Sequence, residues 1–265
     1  MNFTQLLTAV REHPESVCVP ANWAQGRAAF GGLMAALVYQ AMRSKLTDER
    51  LVRSLAITFV GPAAPDVPIS FEVELLREGK AVSTLLGRAV QDGQVVTLVQ
   101  GSFGAGRSSE VEVTALPAVE MKALEQSAPE LPYIKGITPE FMRHVALRWA
   151  IGGLPFTGNA SRQMGGWVRL RDVEQGPVNE SHLLALVDAW PPSLMPFLKR
   201  PAAGSTLTWT IEFVQPTPTL STLDWCRYCV ETEHAKDGYG HASAALWTAE
   251  GELLALSRQT VTVFA

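Results

Sequence analysis

Two cysteines three positions apart have a spacing that is found in redox and metal sites. Cys226 and Cys229 stand in the segment LDWCRYCVET, with the separation of a redox pair or of half a zinc site. This segment has the composition of a strand, and an odd separation on a strand directs two side chains to opposite faces. A redox pair also normally opens a helix. Together with Cys18, the only other cysteine, we therefore interpret them as unrelated reduced thiols.

Histidines and serines give no recognisable catalytic pattern. The chain has five histidines: His13, His144, His182, His234 and His241. They have no metal-ligand spacing, and the last two lie around a glycine-containing turn that is typical of a surface loop. No G-x-S-x-G motif occurs, which speaks against a nucleophilic serine of the α/β-hydrolase type.

A glycine pair and two polar residues are stronger candidates, and each has a structural alternative. Gly31 and Gly32 open an apolar segment; N–H groups at a helix start favour negative charge, and the missing Cβ lets a substrate approach the backbone. The pair could instead serve only to pack that helix against a sheet. Asp188 follows the apolar run LLALV and by itself is most simply a helix N-cap. Gln259 by itself would be a solvated strand residue.

The elements that must position these residues follow one order in the first hundred residues. Residues 28–42, AAFGGLMAALVYQAM, lack polar side chains until Tyr39, which predicts a helix buried nearly all round. Four β-rich segments follow it, LVRSLAITFV, ISFEVELL, AVSTLLGRAV and QVVTLVQGSF. Asp92-Gly93 between the last two predicts a hairpin turn. We therefore expect one helix followed by an antiparallel meander of four strands.

A similar order recurs after a change in composition. Residues 105–138 contain several prolines and no sustained period, which indicates a linker between two halves. The segments FMRHVALRWAIG and GGWVRLRDV then predict strands. SHLLALVDAWPPSLMPFL predicts a short helix with its Pro-Pro near the start, and further strands follow. The predicted domains are residues 1–104 and 139–265.

Short matches between the halves support a duplication. Phe59-Val60-Gly61-Pro62 is matched by Phe213-Val214-Gln215-Pro216, 154 residues later, and Asp92-Gly93 by Glu250-Gly251, 158 residues later. Two copies at so long a period indicate a duplicated domain and not a solenoid. The fold class is α+β, with two helix-on-sheet units whose antiparallel sheets join edge to edge and so hide two strand edges. A buried helix across a strongly curved sheet is the hotdog unit, so we expect a double hotdog.

Over most of its length the chain resembles the acyl-CoA thioesterase II family. In the first half the resemblance is carried by Phe30-Gly31-Gly32 leading into the apolar helix, by LVRSLAITFVGP and by LREGKAVSTLLGRAVQDGQ. In the second half it is carried by the stretch around Asp188, by STLTWTIEFVQP and by ALSRQTVTVF. The resemblance implies an enzyme that hydrolyses acyl-CoA to a free fatty acid and CoA, with Phe30, Gly31 and Gly32 at the substrate.

The resemblance also implies a catalytic set. The family uses an Asp at the second helix, a Thr on the following strand and a Gln on the last strand to hold and polarise a water, which gives Asp188, Thr206 and Gln259 here. Ser205 and Thr208 would replace Thr206 after a small shift of the alignment. The family often has histidines on the first-half strand, where this chain has other residues, Arg53, Ser54 and Ala56, so no histidine role is transferred. The first copy has no acidic residue at its helix start, so we expect one working site per chain.

This set is chemically sufficient for a thioester. Asp188 can accept a proton from the attacking water, while Thr206 and Gln259 orient it. Because thioesters are good electrophiles, no metal or cofactor is required. The acyl chain would run in an apolar tunnel beside the first or second helix, where Met34 or Leu37 could set its length. Two alternatives stay open: a hotdog hydratase or dehydratase, which needs an Asp-His pair, and a non-catalytic protein that binds acyl thioesters.

Charge and hydropathy restrict the other partners. The net charge of -4 and the absence of any Lys/Arg run longer than two residues argue against a nucleic-acid partner. The N-terminus lacks a signal-peptide core, and no apolar run reaches about 18 residues, so we expect no membrane insertion and a cytoplasmic location. Hotdog sheets tend to pair, so we expect a homo-oligomer.

Overall fold

The computed structural model describes residues 1–46, 50–171 and 175–264. Within these ranges the helices are α1 (Phe3–Glu12), α2 (Gly31–Arg43) and α3 (Glu180–Asp188). The strands are β1 (Val17–Cys18), β2 (Ala24–Gln25), β3 (Ala28–Ala29), β4 (Leu51–Phe59), β5 (Pro68–Glu78), β6 (Val82–Gln91), β7 (Gln94–Gly104), β8 (Val145–Ile151), β9 (Gln163–Leu170), β10 (Ala203–Phe213), β11 (Cys226–Lys236), β12 (Tyr239–Trp247) and β13 (Leu253–Phe264). None of the described helices is both long and apolar enough to cross a membrane.

One continuous sheet carries both halves of the chain. Its eleven strands run in the order β1-β5-β6-β7-β4-β10-β13-β12-β11-β9-β8, and β2 and β3 form a separate hairpin. The halves join where β4 pairs antiparallel with β10, with Ile57 opposite Trp209. This join hides the edges that two separate sheets would expose, and the predicted double hotdog is confirmed.

Strand pairing in the first half differs from the predicted meander. β5, β6 and β7 do form a meander, but β4 pairs with β7 and β10 and not with β5. A strand that follows a helix can insert at the far side of a meander, because only tertiary packing decides its neighbour. In this position β4 becomes the strand that joins the two halves.

Turns and strand ends repeat as the sequence matches indicated. Asp92 and Gly93 have φ of 50° and 73°, the left-handed pair that a tight hairpin between β6 and β7 requires. Gly251, with φ of 99°, closes the corresponding connection between β12 and β13. Phe59 ends β4 and Phe213 ends β10, so the FVGP and FVQP segments leave the sheet at equivalent places.

Two helices cross the sheet and pack against each other in opposite directions. α2 begins at Gly31, and its next turns are buried because the segment is apolar on all sides. At one end of the pair, a Cβ on Gly32 would lie 3.0 Å from the carbonyl oxygen of Leu184. At the other end, the hydroxyl of Tyr39 donates to Glu180 at 3.0 Å. The beginning of α2 therefore lies against the end of α3.

The helix of the second half, α3, begins and ends at other residues than predicted. Asn179 caps α3, accepting hydrogen bonds from the backbone N–H groups of Ser181 and His182. Asp188 is the last residue of α3, so its interpretation as an N-cap was wrong. Pro191-Pro192, predicted near the helix start, follows the helix end instead, because proline cannot continue a helix interior. These prolines fix the chain just beyond Asp188.

The strands before α3 are also shorter than predicted. β8 begins at Val145, after a single 3-10 turn at Glu140–Arg143. β9 ends at Leu170; of the segment predicted as this strand, Asp172 and Val173 lie outside the described residues. Both strands still occupy the edge of the sheet in the second half.

The stretch between residues 105 and 138 covers this edge. Within it the backbone N–H groups of Ala128 and Leu131 donate to the carbonyls of Trp149 and Leu147 on β8. These bonds pair a strand edge that would otherwise be open. The domain limits at 104 and 139 stay a prediction. On β11, Cys226 joins the main core whereas Cys229 does not, as expected for an odd separation, and all three cysteines are free.

Candidate active site

A cavity of about 370 Å³ lies where the two halves meet. Its walls include Gly31 and Met34 of α2, Asp188 at the end of α3, Thr206 of β10 and Gln259 of β13. Phe59 at the end of β4, the following residues 60–63 and Trp190 contribute to the apolar part. Each half of the chain therefore contributes to one cavity: the polar side chains are Gln25 and Thr97 from the first half and Asp188, Ser205, Thr206, Gln259 and Thr262 from the second.

Asp188 is held by two donors from distant parts of the chain. The side-chain Nε2 of Gln259 donates to its Oδ1 at 3.0 Å, and the backbone N–H of Gly32 donates to the same carboxylate. Burial raises the pKa of the Asp188 carboxyl to about 7, while these two hydrogen bonds act in the opposite direction. A carboxyl with this pKa can accept a proton near neutral pH and release it again.

The position of Asp188 between two helices explains its donors. It ends α3, where the negative end of the helix dipole disfavours a carboxylate. It also touches the first turn of α2, whose unpaired N–H groups and positive dipole end favour one. The N-terminus of α2 therefore offsets the unfavourable effect that the C-terminus of α3 has on the charged carboxylate.

Gly31 and Gly32 make this approach possible. A Cβ on Gly31 would lie 2.8 Å from Oδ2 of Asp188, and one on Gly32 would lie 2.9 Å from its Cβ. Any larger residue would push α2 away from α3. The two glycines therefore do let α2 pack closely, as one interpretation of the pair expected, and this close packing places the carboxylate of Asp188 against α2.

The three residues expected at the substrate lie at different depths. Gly31 borders the cavity and occupies the first helical position of α2. Phe30 is fully buried and stacks on Phe141 at 4.1 Å between ring centres. Gly32, whose N–H is directed to Asp188, lies behind the wall with Phe30, and neither is among the described residues that border the cavity.

A β-bulge turns Thr206 toward the cavity. In the pairing of β10 with β13, Thr206 lies opposite Val261 and Thr208 opposite Thr260, so Leu207 is an extra residue. This insertion moves Thr206 to the sheet face that carries Trp209 and Gln259. Thr206 is half-buried there, while Thr208 is exposed on the other face. Ser205 also borders the cavity but is exposed.

Gln259 is fixed by the strands on both sides of it. It lies on β13 opposite Trp209 of β10 and Ala242 of β12. Next to it, the indole of Trp209 donates a buried hydrogen bond of 2.9 Å to Ser257. A side chain on a central strand with such neighbours is well suited to hold a carboxylate in one orientation.

Of the two helix positions considered for chain length, Met34 borders the cavity. Leu37 is fully buried in the core and is not among the described residues at the wall. No histidine is among the described residues that border the cavity. Trp190 and the Phe59–Ala63 segment were not predicted at the site. Pro191-Pro192 after Trp190 and the repeated FVGP match were the signals in the sequence that could have indicated them.

The sequence profiles of a known family match both halves. Residues 19–104 match the profile described as the acyl-CoA thioesterase N-terminal domain, and residues 120–263 match that of the C-terminal domain. The chain belongs to the acyl-CoA thioesterase II family. Its resemblance to this family is thus confirmed, and the protein is a thioesterase enzyme that acts on acyl-CoA thioesters.

Individual relatives of this thioesterase agree. Acyl-CoA thioesterase 2 of Haemophilus influenzae is 24% identical over 252 residues, which cover 88% of this chain and 86% of that protein. A hot dog fold protein from Alicyclobacillus acidocaldarius superposes with a TM-score of 0.82 at 24% identity, covering 94% of this chain and 92% of the other. The tesB protein of Mycobacterium avium subs paratuberculosis gives 0.74 at 19% identity, with 98% and 100% covered. The structural matches establish the shared fold.

Proposed function

We propose that this thioesterase hydrolyses acyl-CoA to a free fatty acid and CoA with a water held by Asp188, Thr206 and Gln259. One observation carries the proposal. The hydrogen bond from Gln259 to Asp188 joins residues 71 positions apart at the wall of a cavity, and Thr206 reaches the same wall through a bulge. The carboxylate of Asp188 and the hydroxyl of Thr206 line the same cavity, and we propose that they bind one water between them.

The reaction uses Asp188 as a general base. As the water oxygen attacks the thioester carbon, Asp188 accepts a water proton and the carbonyl oxygen becomes negative. When the carbonyl re-forms, the carbon–sulfur bond breaks and CoA leaves as a thiolate, which takes a proton from Asp188. The products are the fatty acid and CoA, and Asp188 returns to the carboxylate form.

Burial and orientation supply the acceleration. Gln259 keeps Asp188 oriented, so less entropy is lost when the water is placed. Gly31 borders the cavity at the first position of α2, where backbone N–H groups have no helical partner. Its N–H is therefore suited to stabilise the negative oxygen of the intermediate. The acyl chain would lie against Met34 and Phe59, which line the apolar part of the cavity.

An acyl-CoA panel tests this function. Purified protein is incubated with saturated acyl-CoAs of increasing chain length and, separately, with an enoyl-CoA, and free CoA is measured with a thiol reagent. We expect CoA release that depends on chain length. Tight binding without release would instead identify a non-catalytic binder, and loss of enoyl-CoA absorbance without CoA release would identify a hydratase. A cytoplasmic location and homo-oligomerisation remain predictions of the sequence.

A further inference from the structure

Tyr39 and Glu180 are polar groups of the helix pair that the proposed mechanism does not use. The hydroxyl of Tyr39 donates to Oε2 of Glu180 at 3.0 Å, and Tyr39 is buried. The other carboxylate oxygen, Oε1, accepts a hydrogen bond of 2.7 Å from Nε2 of Gln215. Gln215 is held in turn by Thr217, whose backbone N–H and hydroxyl donate to its Oε1 at 3.1 and 3.3 Å. Tyr39, Glu180 and Gln215 together are named the polar clamp.

The polar clamp is the counterpart of the contact at the active site. Gly31 and Glu180 each begin a helix, and Tyr39 and Asp188 are each the ninth residue of one. Because the two helices run in opposite directions, the ninth residue of each lies against the first residue of the other. At one end Asp188 lies against Gly31, and at the other end Tyr39 bonds Glu180. The two ends of the helix pair therefore carry one contact each, related by the repeat.

Side chains near the active site do little to fix the position of α3 along α2. Gly31, Ala35 and Tyr39 are spaced four residues apart on α2, so they lie on one face of this helix. The first two are too small to form a ridge that interlocks with α3. Tyr39 has the first large side chain on this face, and it is bonded to α3 at Glu180. This bond therefore resists sliding of one helix along the other.

We propose that the polar clamp sets the position of α3 along α2 and so holds Asp188 at the backbone N–H of Gly32. This inference rests on the proposed hydrolysis, in which Asp188 is the base. Glu180 and Asp188 lie about 12 Å apart along one helix, and a helix moves as a unit. A shift of α3 at Glu180 therefore moves Asp188 away from the donor on Gly32. The clamp residues are positioning residues, since none is among the described residues that border the cavity.

Tyr39→Phe tests the polar clamp because it removes only a hydroxyl. We expect kcat to fall about tenfold, since a displacement of about 1 Å at a reacting group can lower a rate about 100-fold. The acidic limb of the kcat/KM profile should move to higher pH by up to about one pH unit, which corresponds to one lost hydrogen bond on Asp188. Tyr133→Phe is the matched control, because its hydroxyl also donates to a glutamate, Glu140, at 2.7 Å. This control should keep the kcat and the limb of the wild type.

Other titratable groups at the helix pair do not obscure this limb. Burial lowers the pKa of His182, in the first turn of α3, to about 4. Burial and a neighbouring carboxylate raise the pKa values of Tyr39 and Tyr228, and Arg43 near Tyr39 keeps its charge throughout. A limb between pH 5 and 9 therefore follows the carboxyl of Asp188.

Two variants of Glu180 separate its position from its charge. Loss of the negative charge alone would lower the pKa of Asp188 and move the limb to lower pH. Loss of the clamp should move it to higher pH, and this is the result we expect for Glu180→Ala. Glu180→Gln also removes the charge but keeps polar atoms that can bond Tyr39 and Gln215, so its limb should stay close to that of the wild type. A limb at lower pH in Glu180→Ala would overturn the inference.

Thermal unfolding separates positioning from stability. All variants are assayed below their unfolding transitions, which are followed by circular dichroism. If the clamp only stabilised the fold, Tyr39→Phe would have a lower Tm with the kcat and the acidic limb of the wild type, and this result would overturn the inference. Hydrolysis of acyl-CoA by the wild type would still stand, whereas a wild type without hydrolysis would refute the proposed function itself.

Discussion

The side-chain amide of Gln259 donates a hydrogen bond of 3.0 Å to the carboxylate of Asp188, which ends a helix 71 residues earlier. This contact joins β13, the last strand in the chain, to the end of α3. A second donor, the N–H of Gly32, comes from the first half of the chain. One carboxylate thus depends on three separate elements, and each can be varied on its own.

Changes at Gln259 should move the pH dependence of hydrolysis. Gln259→Ala removes a donor that favours the carboxylate, so the pKa of Asp188 should rise above about 7. Gln259→Glu adds a like charge and should raise this pKa further. Because the reaction needs the ionised form, the acidic limb of the kcat/KM profile between pH 5 and 9 should shift to higher pH in the order wild type, Ala, Glu. Gln100→Glu, an exposed position on β7, is the charge control. An unchanged limb in Gln259→Glu would remove Asp188 as the titrating group.

A methyl group at Gly31 should disturb the base directly. In Gly31→Ala the new Cβ would lie 2.8 Å from Oδ2 of Asp188 and 3.1 Å from Cζ of Phe59. We expect kcat to fall about 100-fold, since a displacement of about 1 Å can cost this much. Gly106→Ala, whose Cβ meets nothing within 4 Å, should retain full activity under the same assay. Wild-type kcat in Gly31→Ala would show that the position of the carboxylate is not critical.

Removing the buried carboxyl should stabilise the fold, increasingly so at high pH. The folded-state pKa of Asp188 is raised to about 7, so between its ordinary value and pH 7 the folded protein holds a proton that the unfolded chain has lost. Stability from this group is therefore present at low pH and declines as pH rises to about 7. Asp188→Asn does not titrate and should gain on the order of 2 kcal/mol over the wild type between pH 5 and pH 8. Urea unfolding at both pH values measures this gain; a constant difference would contradict the raised pKa.

The bulge at Leu207 predicts unequal effects of two similar substitutions. Thr206→Val removes a hydroxyl at the cavity and keeps the side-chain shape, so kcat should fall at least about tenfold. Thr208→Val makes the same change on the exposed face and should leave kcat within about twofold. Steady-state kinetics with one acyl-CoA decides between them. If Thr208→Val were the inactive variant, the register of β10 at the site would be different from the one described.

Local signals were enough to predict much of the fold. The apolar segment of α2 and the Asp92-Gly93 turn act over a few residues, so composition and turn chemistry specify them. The duplication indicated that two sheets would join. The neighbours of β4 were not predictable in this way, because pairing with β7 and β10 depends on contacts between distant segments.

The site was predictable in its residue types and not in its geometry. Asp188 was expected at a helix start, since Asp favours N-caps, but Asn179 takes that role and Asp188 is stabilised by a different helix. Thr206 and Thr208 share a face in a regular strand, and only the bulge separates them. Trp190 was not predicted because its place at the cavity wall depends on tertiary packing, which composition does not reveal.

Hydrolysis of acyl-CoA by Asp188→Asn tests whether Asp188 activates the attacking water. Asn keeps the size of Asp188 and can still pair with Gln259 after its amide turns, so the cavity should persist. An S-alkyl thioether analogue of acyl-CoA, which cannot be hydrolysed, should therefore bind to Asp188→Asn with the affinity of the wild type. Without a base for the water, we expect kcat to fall by about 10²–10⁴ and the dependence on pH near 7 to disappear. Full activity of Asp188→Asn in the free-CoA assay would contradict the assignment of Asp188 as the group that activates water.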